Sequence, residues 1–377
     1  INPFLNNYEM KTITEIIFIL YLCINISPVI ALQVQPMSEY PTGGKINSIS
    51  VLRDNILIAS DNNFIYLFDN TGKRLWNSEA LGRVISAKMS GNQIIAATRD
   101  NRIYCLNMNG EIRWKGEDAV IPEYVNAVDV SGPHSLIGTR DGHIYLLDSS
   151  KDLLWKRKTD DYVTSVKISR DYMIVVSDKG VYILNTCGHL ISHHKFDSYV
   201  RSSYISDDHI MAGLGNNHLH LFDHGGTLLW NSTLRDQIGV IHSSDKYIVA
   251  GLRDGSIYLF NINGERKFIA RLNDSIVSIF TSGDHIVAGS LDNELCIFSS
   301  GGDLEWKYTP DDHWKYTPGD YITSIYLSEE YLVAGSSSGD IHYLRIFSDS
   351  TTLVLVVAVV SIVIIAALLV SLKSLMC

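Results

Sequence analysis

The chain is poor in cysteine. Its 377 residues hold five, with no adjacent pair and no C-x-x-C, which excludes a disulfide framework and a dithiol redox centre. Cys23 and Cys377 lie near the ends, leaving the odd number Cys105, Cys187 and Cys296 between them. H-E-x-x-H and the phosphate-binding loop are also missing, so no common zinc-protease or nucleotidase signature is present. Positive charge is in deficit, with 31 Lys and Arg against 41 Asp and Glu. The resulting net charge of −10 argues against nucleic acid and anionic lipid as partners. Between residues 32 and 348 no segment carries a helix-length apolar periodicity, which points away from helical classes.

Repetition takes the place of these features. Strand-like tetrapeptides begin at Ile65, Ile103, Ile144, Leu219 and Leu295, and eleven residues after each stands Trp76, Trp114, Trp155, Trp230 or Trp306. Two further units carry Phe268 and Ser192 there. Before each such strand an apolar run ends at Ala59, Ala97, Gly138, Val176, Gly213, Gly251, Gly289 or Gly335. The steps are 38, 41, 38, 37, 38, 38 and 46, and the last contains an eight-residue duplication, WKYTPDDH followed by WKYTPGD. A period of this length marks units that must stack on their neighbours. Each unit divides into four short apolar runs separated by turn residues, the content of one propeller blade. The fold expected is all-β, an eight-bladed propeller of four-stranded blades, with a seven-bladed ring as the alternative. The last unit lacks a fourth strand, while residues 32–37 alternate like an outer strand. That N-terminal strand is expected to complete the last blade and close the ring.

The runs GTRDGHIYLLDSSKDLLWK (138–156), AATRDNRIYCLNMNGEIRWK (96–115) and AGLRDGSIYLFNINGERKF (250–268) carry a small residue, Asp-Gly, an apolar strand, a Gly turn and then Trp. This pattern resembles the repeat of PQQ-type, quinoprotein-dehydrogenase-like propellers over residues 32–348. Tryptophan-aspartate repeats fit less well, because Asn or Lys follows these tryptophans. The resemblance implies that Trp76, Trp114, Trp155, Trp230 and Trp306 dock between blades, where a buried indole still needs an acceptor for its N–H. Catalytic members of the resembling family hold their quinone with a vicinal cysteine pair, a calcium ion and long loops. This chain has no such pair and short loops, so neither cofactor nor enzymatic activity is expected.

Both ends address a membrane. Met10 reads as the natural start, and the apolar run 16–30 with Val29-Ile30-Ala31 reads as a secretory signal cleaved after Ala31. Residues 350–372 read as a transmembrane helix, since 353–372 is apolar but for Ser361 and Ser371. The organisation expected is a signal (1–31), an extracytoplasmic propeller (32–349), the membrane helix and a cytoplasmic tail (373–377). Asn231 and Asn273 begin N-x-S/T sequons outside the membrane.

Glu123, Asp161, Asp236, Asp274 and Asp320 each stand two residues before a first strand, and Asp197 stands one residue off. They are expected to ring one mouth of the channel, as turn caps or as a surface for a cation or basic peptide. Seven of the thirteen histidines fall in units four and five. His218 and His220 share a strand face there, but no carboxylate or cysteine completes a metal set. The function expected is a non-catalytic, surface-displayed scaffold binding a protein or ligand. A quinoprotein-like enzyme and a sensory ectodomain are the alternatives.

Overall fold

The computed structural model describes residues 32–115, 121, 124–169, 171–308 and 320–348, and these form strands and no helix. Seven four-stranded sheets are continuous in sequence: residues 46–79 (blade 1), 84–115 (blade 2), 125–158 (blade 3), 163–195 (blade 4), 200–233 (blade 5), 238–271 (blade 6) and 276–308 (blade 7). In blade 8 the strands Ile322–Leu327, Tyr331–Ser336 and Asp340–Ser348 are completed by Leu32–Pro41, which pairs with the third of them. First strands of successive blades contact one another, and that of blade 1 contacts that of blade 8, so the sheets close into a ring. The protein is an eight-bladed propeller. Eight sheets exclude the seven-bladed alternative.

Burial follows strand order. Second strands are wholly or almost wholly buried, as in Gln93–Thr98, and the third strand Ile103–Leu106 is buried throughout. The outer strand Arg74–Glu79 alternates between exposed and half-buried residues. Neighbouring blades cover both faces of the middle strands, so those strands read as continuous apolar runs.

The small residue ending each second strand has a steric cause. A Cβ on Gly138 would stand 2.3 Å from Val163, on Gly251 2.4 Å from Ile276, and on Gly335 2.4 Å from Ile46. In each case the intruder is the β-branched residue that opens the next blade's first strand. Glycine here lets that residue seat in the blade behind it, and the sequence period records the inter-blade contact.

Every first strand also bulges after its opening residue, leaving Asn47, Ile85, Asn126, Thr164, Arg201, Gly239, Val277 and Thr323 out of register. A bulge increases local twist and re-aims one side chain. Asn47 donates to the Val84 carbonyl at 2.8 Å, Asn126 to Val163 at 2.7 Å, and Thr323 to Ile46 at 2.6 Å. Each bond crosses to the next blade, replacing ladder bonds that the bulge removes.

Residues 1–31 and 349–377, which include the expected signal, membrane helix and tail, lie outside the described residues. Among those described, no helix is long and apolar enough to cross a membrane. Most of the duplicated stretch lies outside as well.

Candidate binding face

The loops leading into the first strands share a face with the turns between second and third strands. One backbone bond, repeated in all eight blades, ties the two together: the N–H just after the second strand donates to the carbonyl just before the first. Examples are Asp61 to Lys45 at 2.8 Å, Arg140 to Tyr124 at 2.8 Å, and Arg253 to Gln237 at 3.0 Å. Each blade therefore presents two rim residues, and its bulge residue stands just behind them.

These three positions line a cavity of about 630 Å³. Tyr162, Tyr199 and Ser275 come from the loops before first strands, Arg253 and Leu291 from the second-to-third turns, and Arg201, Gly239 and Val277 from the bulges. Val200 and Ile276 complete the lining. No carboxylate belongs to it. Neither the Arg201 nor the Arg253 guanidinium has a hydrogen-bond or ion-pair partner among the described residues. Gly239 helps keep the space open, since a Cβ there would stand 2.7 Å from the Ile276 carbonyl oxygen.

Across all eight blades the three positions carry Lys45, Arg83, Arg99, Arg140, Arg201 and Arg253 against Asp61 and Asp178 only. The inner rim of an acidic protein is thus basic, six charges to two. Lys45 donates to the Tyr321 hydroxyl at 3.3 Å, and Arg83 approaches Asp61 at 3.8 Å.

The acids singled out in the sequence lie one residue further from the first strands, and Asp197 two. Asp161 faces Lys179 at 3.5 Å and also accepts the Tyr162 N–H at 2.9 Å. Asp274 is exposed and accepts the Ser275 N–H at 2.6 Å. Asp236 is half-buried and Asp197 exposed. Asp320 is buried and accepts from the backbone of Tyr321 and Ser338 and from the hydroxyls of Ser337 and Ser338. Burial raises its carboxyl, but these bonds outweigh burial and hold it below the ordinary carboxylate range. Glu123 lies outside the described residues. No three of the described acids bring their carboxylates within 4.8 Å of one another.

Trp76, Trp114, Trp155, Trp230 and Trp306 sit at the outer edge and are half-buried. The indole N–H donates to a carbonyl of the following blade: Trp76 to Met108 at 2.8 Å, Trp114 to Ser149 at 2.9 Å, Trp155 to Thr186 at 3.2 Å, and Trp230 to Ile262 at 2.9 Å. Glycines at positive φ, Gly110, Gly188 and Gly264, lie against the rings of Trp76, Trp155 and Trp230. Trp306 lies beside Tyr308, with ring centroids 6.3 Å apart. Asn231 is exposed on the outer strand of blade 5, and the exposed Asn273 donates its amide to Glu294 at 2.9 Å.

Sequence reasoning did not find the channel wall. In blades 5 to 8 the fifth residues of the first strands form a run of rings, Tyr204–His242–Phe280–Tyr326, with centroids 4.4, 3.9 and 5.1 Å apart. His242 is buried there and accepts the Thr281 N–H at 3.2 Å. Burial pulls its pKa down to about 3, with a smaller push from Lys88. A second cavity of about 370 Å³ adjoins this run at Tyr204 and is lined by Lys88, Asp129 and Lys167 among others. The histidines of blades 4 and 5 pack as aromatic surface: His193 stacks on Tyr182 at 4.0 Å and His194 lies 4.7 Å from Phe222. Among the described residues one set of three donor groups converges within 4.8 Å, Glu39, Asp340 and His342, where Leu32–Pro41 joins blade 8. A divalent cation is what that donor set would suit.

The PQQ-type repeat family described as outer membrane protein assembly factor BamB matches residues 35–128. No curated protein matches this chain. Among solved structures, the computationally designed Ika8 protein superimposes with a TM-score of 0.73 at 17% identity, covering 82% of this chain and 99% of its own. BamB from Moraxella catarrhalis gives 0.68 at 18%, covering 84% and 98%. Sqt1 from Saccharomyces cerevisiae gives 0.69 at 13%, covering 82% and 98%. At these identities the likeness is one of fold.

Proposed function

We propose that this chain is a non-catalytic propeller that binds a segment of a protein partner at the mouth of its channel and is carried on the outer face of a membrane. The observation that carries the reading is the cavity lined by Tyr162, Tyr199, Arg201 and Arg253, whose guanidinium groups make no bond among the described residues. Its volume of about 630 Å³ falls in the range of roughly 300 to 1,000 Å³ typical of binding pockets. Short turns on a rigid ring hold its walls, so little ordering entropy is lost on binding. The partial match to a family described as an assembly factor supports a partner that is a protein. The membrane setting rests on the apolar runs before residue 32 and after residue 352, and the acidic composition agrees with display in water.

Site-specific photo-crosslinking in native membranes tests the reading. A photoreactive residue at Tyr199 on the mouth should capture one discrete protein band, and the same residue at the exposed Leu190 on the outer strand of blade 4 should not. Equal capture from both positions, or capture from Leu190 alone, would move the binding surface elsewhere. External protease on intact cells should degrade the propeller. Full protection would refute display outside the cytoplasm.

A further inference from the structure

We infer that the mouth takes an acidic, partly apolar segment of its partner, with carboxylates seated on Arg201 and Arg253. The inference rests on the proposed binding role and names the partner's chemistry. A guanidinium left unpaired is most readily satisfied by a carboxylate or phosphate, because the planar fork matches two oxygens at once. Arg201 is half-buried and Arg253 exposed, and both line the cavity. No acid lines the cavity to compete for them.

Two observations favour a peptide over a small free anion. The cavity is far larger than one anion, and Val200, Ile276, Val277 and Leu291 line it beside the arginines. Those surfaces gain nothing from phosphate, but they would bury the apolar side chain next to a carboxylate. Tyr199, with 43% of its surface exposed, offers a ring face at the same opening. The charge distribution adds direction. A protein of net charge −10 repels acidic chains over most of its surface, while its inner rim sets six basic groups against two acidic ones. An acidic segment is therefore favoured at the mouth, and the basic-peptide surface suggested by Asp161, Asp236, Asp274 and Asp320 lies outside that rim.

The test uses the full chain in detergent and four probes: a labelled peptide of alternating glutamate and leucine, its lysine-leucine counterpart, inorganic phosphate, and the glutamate peptide at raised salt. Fluorescence anisotropy should show binding of the glutamate peptide, weakening with salt, with no binding of the lysine peptide. Arg253→Gln and Arg201→Gln should each weaken it about tenfold, and Arg113→Gln on the outer strand of blade 2 should leave it unchanged. Because Arg253 lies on an exposed turn, its variant reports on binding even if Arg201→Gln perturbs the bulge. Preferential binding of the lysine peptide, displacement by phosphate at equimolar concentration, or indifference to Arg253→Gln would each overturn the inference. A discrete crosslink from Tyr199 alongside any of those results would leave the general binding role standing.

Discussion

Gly264 is where the packing argument can be tested most sharply. It turns between the third and fourth strands of blade 6 at φ +84°, and a Cβ there would stand 2.9 Å from Cγ and Cδ2 of Trp230 in blade 5. Gly264→Ala should therefore carry two costs. Holding an L-residue in the left-handed region costs about 1 to 2 kcal/mol, and pushing an anchored indole aside costs a further ~1 to 3 kcal/mol. The ring cannot slide freely, because its N–H is bonded to the Ile262 carbonyl at 2.9 Å. Gly132 separates the two costs, for it has φ +55° with nothing within 4 Å of a built Cβ. Gly132→Ala should show the backbone cost alone. In chemical denaturation the midpoint of Gly264→Ala should fall well below that of Gly132→Ala at an unchanged slope. With Trp230→Ala already present, adding Gly264→Ala should cost no more than Gly132→Ala does. If the two glycine variants agree within about 0.5 kcal/mol, or the cost survives removal of Trp230, the ring-on-glycine contact is not what joins these blades.

Two further outcomes follow from buried titratable groups. His242 is neutral in the fold, with its pKa near 3, against 6.5 when unfolded. The unfolded chain then binds more protons below pH 6.5, so stability falls with pH through that window, by about 2 kcal/mol at pH 5. His242→Gln should remove that part of the pH dependence, measured as denaturation midpoints at pH 7, 6 and 5, and an unchanged slope refutes the assignment. Asp320→Asn should destabilise by roughly 1 to 3 kcal/mol at pH 7, because an amide cannot accept every bond that Ser337, Ser338 and Tyr321 now give a carboxylate. Thermal melting of Asp320→Asn beside Asp274→Asn checks this. Equal, small effects would show that both carboxylates merely face solvent.

The fold was legible because its main contact leaves a mark every repeat. Gly138, Gly251 and Gly335 stand where the opening residue of the next blade must enter, and the tryptophans recur because each outer edge meets the same turn of its neighbour. The alternation of residues 32–37 likewise announced an outer strand, and the structure pairs Leu32–Pro41 with blade 8. The site was not legible for a matching reason. Arg201 reaches the mouth through a bulge that leaves no trace in composition, and Arg253 sat in a string that reads simply as Arg-Asp-Gly turn chemistry. Asp161 and Asp320 look alike in sequence, yet Asp161 faces a lysine at the surface while Asp320 is buried under serines. Which acids stay in water depends on the residues that follow the second strand, and the ring brings those together only after closure.

The seam of blade 8 also sets an order of events during synthesis. Leu32–Pro41 leaves the ribosome first among the strands, and its partner Asp340–Ser348 leaves last. With about 300 residues between them and translation at roughly 5 to 20 residues per second, the early strand waits tens of seconds for its mate. Blades 1 to 7 can assemble meanwhile as an open arc whose two ends are exposed. A chain cut short before residue 340 can never lock, so closure serves as a built-in check that the whole propeller has been made.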